Sequence, residues 1–163
     1  SWKNDDLLLE KTKILCTTLY SKGLDIFLIP MHRPEDKDFI EKIPSLDIPT
    51  YKITQYLNPQ EMFALTGEMD IVISVRLHAL IMAAAQNIPA IGLSYDPKID
   101  AFMDEINNKN CFDIDTFSPE KVVNSVLSQL EGNKTQDKSI QCTNGLIEKT
   151  YKPAKLIGKI LGH

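Results

Sequence analysis

Arg76 and His78 stand two residues apart, after the apolar segment Asp70-Ile71-Val72-Ile73-Ser74 and ahead of a run rich in leucine, isoleucine and alanine that extends to Gln86. A strand-like run, a polar turn and a helix-like run in that order put both side chains at a helix start, where free amides favour an anion. An arginine fork at such a place can take a carboxylate or a phosphate through two parallel hydrogen bonds. Ala79 and residues 83–85 are small enough for this helix to pack close to its neighbours. A plainer alternative pairs Arg76 with Asp70 or Asp96 and leaves His78 to cap the turn.

Other polar segments follow other apolar runs: Pro30-Met31-His32-Arg33 after Ile29, Thr54-Gln55 after Ile53, and Ser94-Tyr95-Asp96-Pro97-Lys98 after Leu93. In an open α/β sheet, ligands bind outside the carboxyl ends of the strands, so these turns are where chemistry belongs. His32 leads into an Arg-Pro-Glu-Asp helix start and is either functional or simply solvated. Lys98 can neutralise a phosphate, and Tyr95 can donate a hydrogen bond or pack under a substrate ring; an ordinary surface role is the alternative for each. Asp100 and Asp104, four apart on one helix face, fit a solvated acidic face as well as a metal site. Neither a Gly-x-Gly-x-x-Gly pattern nor a Walker-type loop is present, which disfavours nucleotide binding by those devices. No metal and no cofactor is expected.

The elements that must position these turns alternate along the chain. Residues 5–20 carry a helical stripe of Leu7, Leu8, Thr12, Ile14, Leu15 and Leu19, stopped by Lys22-Gly23. A strand at 25–29, a helix at 35–43, a strand at 51–53 and a helix at 59–66 follow, the last opened by an Asn58-Pro59-Gln60-Glu61 capping pattern. Strand 70–74, helix 77–86, strand 89–93, helix 99–106, strand 111–113 and a Ser118-Pro119-capped helix to about residue 130 complete the series. Such alternation predicts right-handed βαβ units and a parallel, Rossmann-like sheet with helices on both faces. The domain is expected over residues 1–131, a polar linker over 132–145, and an amphipathic helix over 146–163 with a kink at Pro153. That helix has three possible burial partners: its own domain, a second domain, or a membrane surface. Because α/β chains of this type normally open with a central strand, the helix at the start predicts a first strand upstream of Ser1.

Composition limits the function classes. The 163 residues are 43% hydrophobic and 25% charged, the balance of a globular domain with one core. A formal net charge of −4 argues against a protein that grips a nucleic-acid backbone, so any anion must be held locally. No run of about 20 apolar residues and no signal-peptide pattern occurs, and the expected location is the cytoplasm or the inner face of its membrane. Cys16, Cys111 and Cys142 are odd in number and widely spaced, which predicts neither a disulfide framework nor structural zinc.

The stretch Asp70-Ile71-Val72-Ile73-Ser74-Val75-Arg76-Leu77-His78-Ala79-Leu80, followed by Pro89-Ala90-Ile91-Gly92-Leu93-Ser94-Tyr95-Asp96-Pro97-Lys98, resembles the signature of polysaccharide pyruvyl transferases. Pro30-Met31-His32, with Asp36 or Asp38 beyond, resembles that family's second-strand loop. The resemblance is close from about His32 to Phe102 and extends further by element order. It implies one half of a two-domain GT-B type enzyme that uses phosphoenolpyruvate to install a pyruvate ketal on a sugar of a cell-wall or capsular polymer. Arg76 and His78 would then hold the donor, with Tyr95 and Lys98 beside it, and His78 or His32 would protonate its methylene carbon. The partners so implied are phosphoenolpyruvate, a lipid-linked or polymeric saccharide acceptor and an N-terminal domain; without that domain the chain is expected to be inactive. Two rivals stay open: a GT-B glycosyltransferase or sugar-nucleotide epimerase half that binds a nucleotide, and a non-catalytic Rossmann-like module.

Overall fold

The computed structural model describes residues 5–32, 34–43 and 46–135. The order is α1 (Asp5–Ser21), β1 (Ile26–Leu28), α2 (Glu35–Lys42), β2 (Thr50–Lys52), α3 (Pro59–Gly67), β3 (Val72–Ser74), α4 (Leu77–Ala85), β4 (Ala90–Ser94), α5 (Pro97–Glu105), β5 (Cys111–Asp113) and α6 (Pro119–Thr135). Every strand pair is parallel, so the fold is α/β and Rossmann-like, as the alternation predicts. The linker was expected to follow Glu131, but α6 continues through Gly132 to Thr135. The amphipathic helix expected at 146–163 lies outside the described residues.

Local chemistry accounts for the boundaries. The α1 chain reverses through Gly23 at φ +88°, with the Gly23 amide donating to the Tyr20 carbonyl at 2.9 Å and the Leu24 amide to the Leu19 carbonyl at 3.2 Å. Only glycine adopts that backbone without penalty. A Cβ there would meet nothing within 4 Å, so Gly23→Ala has only the backbone cost. We expect a loss of about 1 kcal/mol, read as a drop of a few degrees in thermal midpoint. At the start of α3, Asn58 accepts from the Glu61 amide and Glu61 accepts from the Asn58 amide, both at 3.0 Å, with Pro59 in the first turn. Asp96 likewise caps α5, which therefore starts at Pro97, two residues before the position expected from the apolar pattern.

All of β4 is buried, and its side chains divide the core by their alternation. Ile91 and Leu93 face a cluster with Leu8, Leu15, Cys16 and Leu19 of α1 and Val122, Val123 and Val126 of α6. Ala90 faces Leu80 and Ala83 of α4 and Ile99 and Met103 of α5. Within α1 the buried stripe includes Cys16, whereas Leu7 and Ile14 are exposed. Gly92 lets α5 approach: an added Cβ would lie 3.1 Å from Cys111 Sγ and 3.3 Å from Met103 Cγ.

The single sheet expected from the sequence divides in two. One half has the order β1-β2, the other β3-β4-β5. Between β1 and β3 runs a largely apolar groove of about 560 Å3, lined on one side by Phe27 and Ile29 and on the other by Ile71, Ile73 and Val75, with α1 as its floor. The carboxyl ends of both halves lie at the same end of the molecule, because Asp36, beyond β1, is bonded to Arg76, beyond β3. All five strands therefore run in one direction.

Candidate functional site

Arg76 closes the turn after β3 in extended backbone (φ −110°, ψ 121°) at the N-cap of α4. Ser74 shapes that turn: its hydroxyl accepts from the Arg76 amide at 2.9 Å and lies 3.3 Å from the Arg76 carbonyl. The guanidinium meets Asp36 edge-on, with Nε donating to Oδ1 at 3.0 Å and Nη2 to the same oxygen at 2.5 Å. Nη1 donates to the Tyr95 hydroxyl at 3.3 Å. Both charges are largely withdrawn from water, with side-chain exposures of 19% for Arg76 and 12% for Asp36. Burial pulls the Arg76 pKa down, but the hydrogen bonds and charge of Asp36, with a smaller contribution from Tyr95, outweigh it and leave it raised. The guanidinium is thus a fixed cation.

Asp36 also holds the other loop. Its Oδ2 accepts from the Met31 amide at 3.0 Å and the His32 amide at 2.7 Å, so one carboxylate joins the turn after β1 to the turn after β3. Beside it His32 Nδ1 lies 2.7 Å from Glu35 Oε2. Glu35 is held below the ordinary carboxylate range, first by its own backbone hydrogen bond and then by His32. The acidic first turn of α2, Glu35, Asp36 and Asp38, is also where a helix dipole favours negative charge.

His78 is exposed in the first turn of α4, and Lys98 is exposed in the first turn of α5. Arg76 lines the groove between the half-sheets, whereas His78, Lys98, His32 and Tyr95 are not among its lining residues. Arg76 pairs with neither Asp70 nor Asp96; its carboxylate is Asp36. Helix geometry leaves the amides of Leu77 and His78 without an intrahelical acceptor, while those of Ala79 and Leu80 reach the Arg76 carbonyl. Two open amides next to a fixed guanidinium and an exposed imidazole make a turn suited to a small, multiply charged anion.

Two residues that shape the site are not singled out by the sequence. Asp36 was visible only as one of two acids in the second-strand loop, and Ser74 carried no separate signal. Asp100 takes a structural role: its Oδ2 accepts from the Ser94 hydroxyl at 2.6 Å, tying α5 to the end of β4. Asp104 pairs with exposed Lys109 at 3.0 Å. Among the described residues no cluster of three or more potential metal ligands occurs. Burial pushes the Cys16 thiol up to about 11, and burial with the nearby Asp100 carboxylate does the same for Cys111, so neither is a thiolate nucleophile near neutral pH.

Tyr95 tests the clamp at low cost to the fold, because its ring is 47% exposed. Tyr95→Phe removes only the hydroxyl that meets Nη1. We expect a stability change within about 0.5 kcal/mol and, for a small anion held at this turn, a loss of about threefold to tenfold in affinity, the worth of one hydrogen bond. Equilibrium unfolding and a binding titration measure the two.

Parallel strands with helical crossovers define a Rossmann-like α/β protein, with a turn suited to an anion at the carboxyl end of β3. A family model described as polysaccharide pyruvyl transferase matches residues 1–97, more than half of the chain, and the chain belongs to that transferase family. No curated protein and no solved structure matches it. Among the described residues no helix is long and apolar enough to cross a membrane.

Proposed function

We propose that this chain supplies the donor-binding half of a GT-B type transferase that moves a pyruvyl group from phosphoenolpyruvate to a sugar of a cell-wall or surface polysaccharide. The observation that carries the reading is the Arg76 guanidinium, fixed by Asp36 and Tyr95 at the carboxyl end of β3. Family membership supports the reaction class. Phosphoenolpyruvate bears a carboxylate and a phosphate, so it needs several convergent donors. Arg76, the open amides at the start of α4, His78 and Lys98 provide them, and a preset cation stabilises charge on the departing phosphate without reorganising.

In this reading His32 is the general acid. Glu35 holds Nδ1, so the imidazolium offers its Nε2 proton, and the His32 amide is bonded to the same carboxylate that fixes Arg76. Proton transfer to the methylene carbon makes the neighbouring carbon electrophilic, and a sugar hydroxyl adds there. The carbon–oxygen bond to phosphate then breaks, and a second hydroxyl of the sugar closes the ketal. Of the two protons released by the hydroxyls, one restores His32 and one leaves with inorganic phosphate. The acceptor is a lipid-linked or polymeric saccharide met at the inner face of the membrane.

The test incubates the complete reading frame that contains this chain with phosphoenolpyruvate and a panel of lipid-linked saccharides. Phosphate released in equal amount to ketal is the expected result. Transfer from a nucleotide sugar with no use of phosphoenolpyruvate would contradict the assignment.

A further inference from the structure

We infer that Asp100 is a positioning residue: through the Ser94 hydroxyl it sets the turn after β4, which brings the Tyr95 hydroxyl to the Arg76 guanidinium. Alternation along β4 decides which side chains meet α5. Ser94 shares the face of Ala90 and Gly92, and it is only 5% exposed although its side chain is polar. A buried hydroxyl needs a partner. Asp100, in the first turn of α5, supplies it: Ser94 Oγ donates to Asp100 Oδ2 at 2.6 Å, a short, charge-assisted bond. The other carboxylate oxygen is also held. Cys111 Sγ lies 3.5 Å from Asp100 Oδ1, and because burial and the Asp100 charge push this thiol up to about 11, it keeps its proton and donates. Gly92 leaves the room for that contact, since a Cβ there would stand 3.1 Å from Cys111 Sγ. One carboxylate therefore joins α5 to β4 and β5.

The turn so fixed carries two side chains of the site. Tyr95 follows Ser94 directly, and its hydroxyl accepts from Arg76 Nη1 at 3.3 Å. Lys98 lies at the far end of the same turn, its amide donating to Asp96 Oδ1 at 2.9 Å. The register of β3 and β4 pairs Ser74 with Gly92, so two residues further along each chain Arg76 stands level with Ser94. Ser74 shapes the Arg76 turn from its own strand, and Ser94 shapes the Tyr95 turn with a carboxylate behind it. Without Asp100 the Ser94 hydroxyl is left with the Asp96 carbonyl at 3.3 Å, a contact inside the turn that ties it to no other element. The Tyr95 ring, 47% exposed, has little packing to hold it once that turn shifts. The positioning role rests on the reading of Arg76 as the cation that meets the donor.

The first measurement needs no ligand: it follows the Arg76 Nε–H resonance of the isotopically labelled 163-residue chain, a group protected by its bond to Asp36. Tyr95→Phe is expected to shift this resonance, and Asp100→Ala to shift it in the same direction. In the double variant Asp100→Ala should add nothing, because its effect passes through the Tyr95 hydroxyl. Asp100→Asn keeps an acceptor for Ser94 and is expected to return the resonance to the parent position. Asp100 is exposed, so its replacement opens no core cavity, and Ser94→Ala breaks the same bond from the other side as a second variant. The inference is overturned if Asp100→Ala and Ser94→Ala leave the resonance at the parent position, if the shifts add in the double variant, or if Tyr95→Phe itself moves nothing. In the complete reading frame, Asp100→Ala should lower kcat/KM for phosphoenolpyruvate by about threefold to tenfold, no further than Tyr95→Phe does and with no added loss in the double variant. Should that frame ignore phosphoenolpyruvate altogether, the proposed reaction falls, and the resonance shifts alone decide how Arg76 is positioned.

Discussion

Asp36→Ala is expected to destabilise the chain more than Arg76→Ala does, although the two residues share one ion pair. Removing the carboxylate leaves a guanidinium that is 19% exposed without its counter-charge, and it strips the Met31 and His32 amides of their acceptor. Breaking a buried pair from one side costs about 3 kcal/mol or more, because the remaining charge stays desolvated. In Arg76→Ala, Asp36 keeps both backbone donors, and the loss should be nearer 1–2 kcal/mol, the range of a charge-assisted hydrogen bond. Chemical denaturation of both single variants and the double variant measures the difference. A double-mutant cycle should return a coupling above about 1 kcal/mol, and equal losses in the two single variants would show that the loop contacts of Asp36 carry no weight.

In the complete reading frame that contains this chain, Arg76→Lys should leave a folded protein that has lost most of the phosphoenolpyruvate-dependent turnover proposed for it. A lysine ammonium is a point charge and cannot meet Asp36 through two nitrogens while a third reaches the Tyr95 hydroxyl. The donor would then face a cation of the right sign in the wrong geometry. We expect kcat/KM for phosphoenolpyruvate to fall by about 10^2 to 10^3, the usual consequence of losing a preset transition-state donor. Steady-state kinetics check this, together with an unfolding curve to show that the fold is retained. A variant with more than about half the parent activity would remove Arg76 from the donor site.

Much of the architecture was legible in the sequence because its determinants are local. The capping box at Asn58 and Glu61, the stop at Gly23 and the alternation of short apolar runs with helical stripes act within a few residues. The division of the sheet was less visible. It depends on which strands meet in space, and the three-residue cores of β1 and β3 look alike in sequence whether paired or not. At the site, Arg76 was legible from its position between a strand and an alanine-rich helix. Its partner was not singled out: Asp36 lies 40 residues away, and nothing in its neighbourhood distinguishes it from Glu35 or Asp38 in the same acidic turn. Only tertiary folding selects the one whose carboxylate faces β3. Residues such as Leu7 and Ile14 show the converse, apolar side chains at helical spacing that remain 42% and 46% exposed because α1 buries the adjacent stripe.

Calorimetric titration of the protein with phosphoenolpyruvate, beside pyruvate, inorganic phosphate and uridine diphosphate, tests the central claim most directly. A site built on the fixed Arg76 guanidinium predicts saturable binding of phosphoenolpyruvate, weaker binding of either half of that molecule alone, and loss of the signal in Arg76→Ala. Binding of uridine diphosphate with none of phosphoenolpyruvate, or phosphoenolpyruvate binding that Arg76→Ala leaves unchanged, would contradict it.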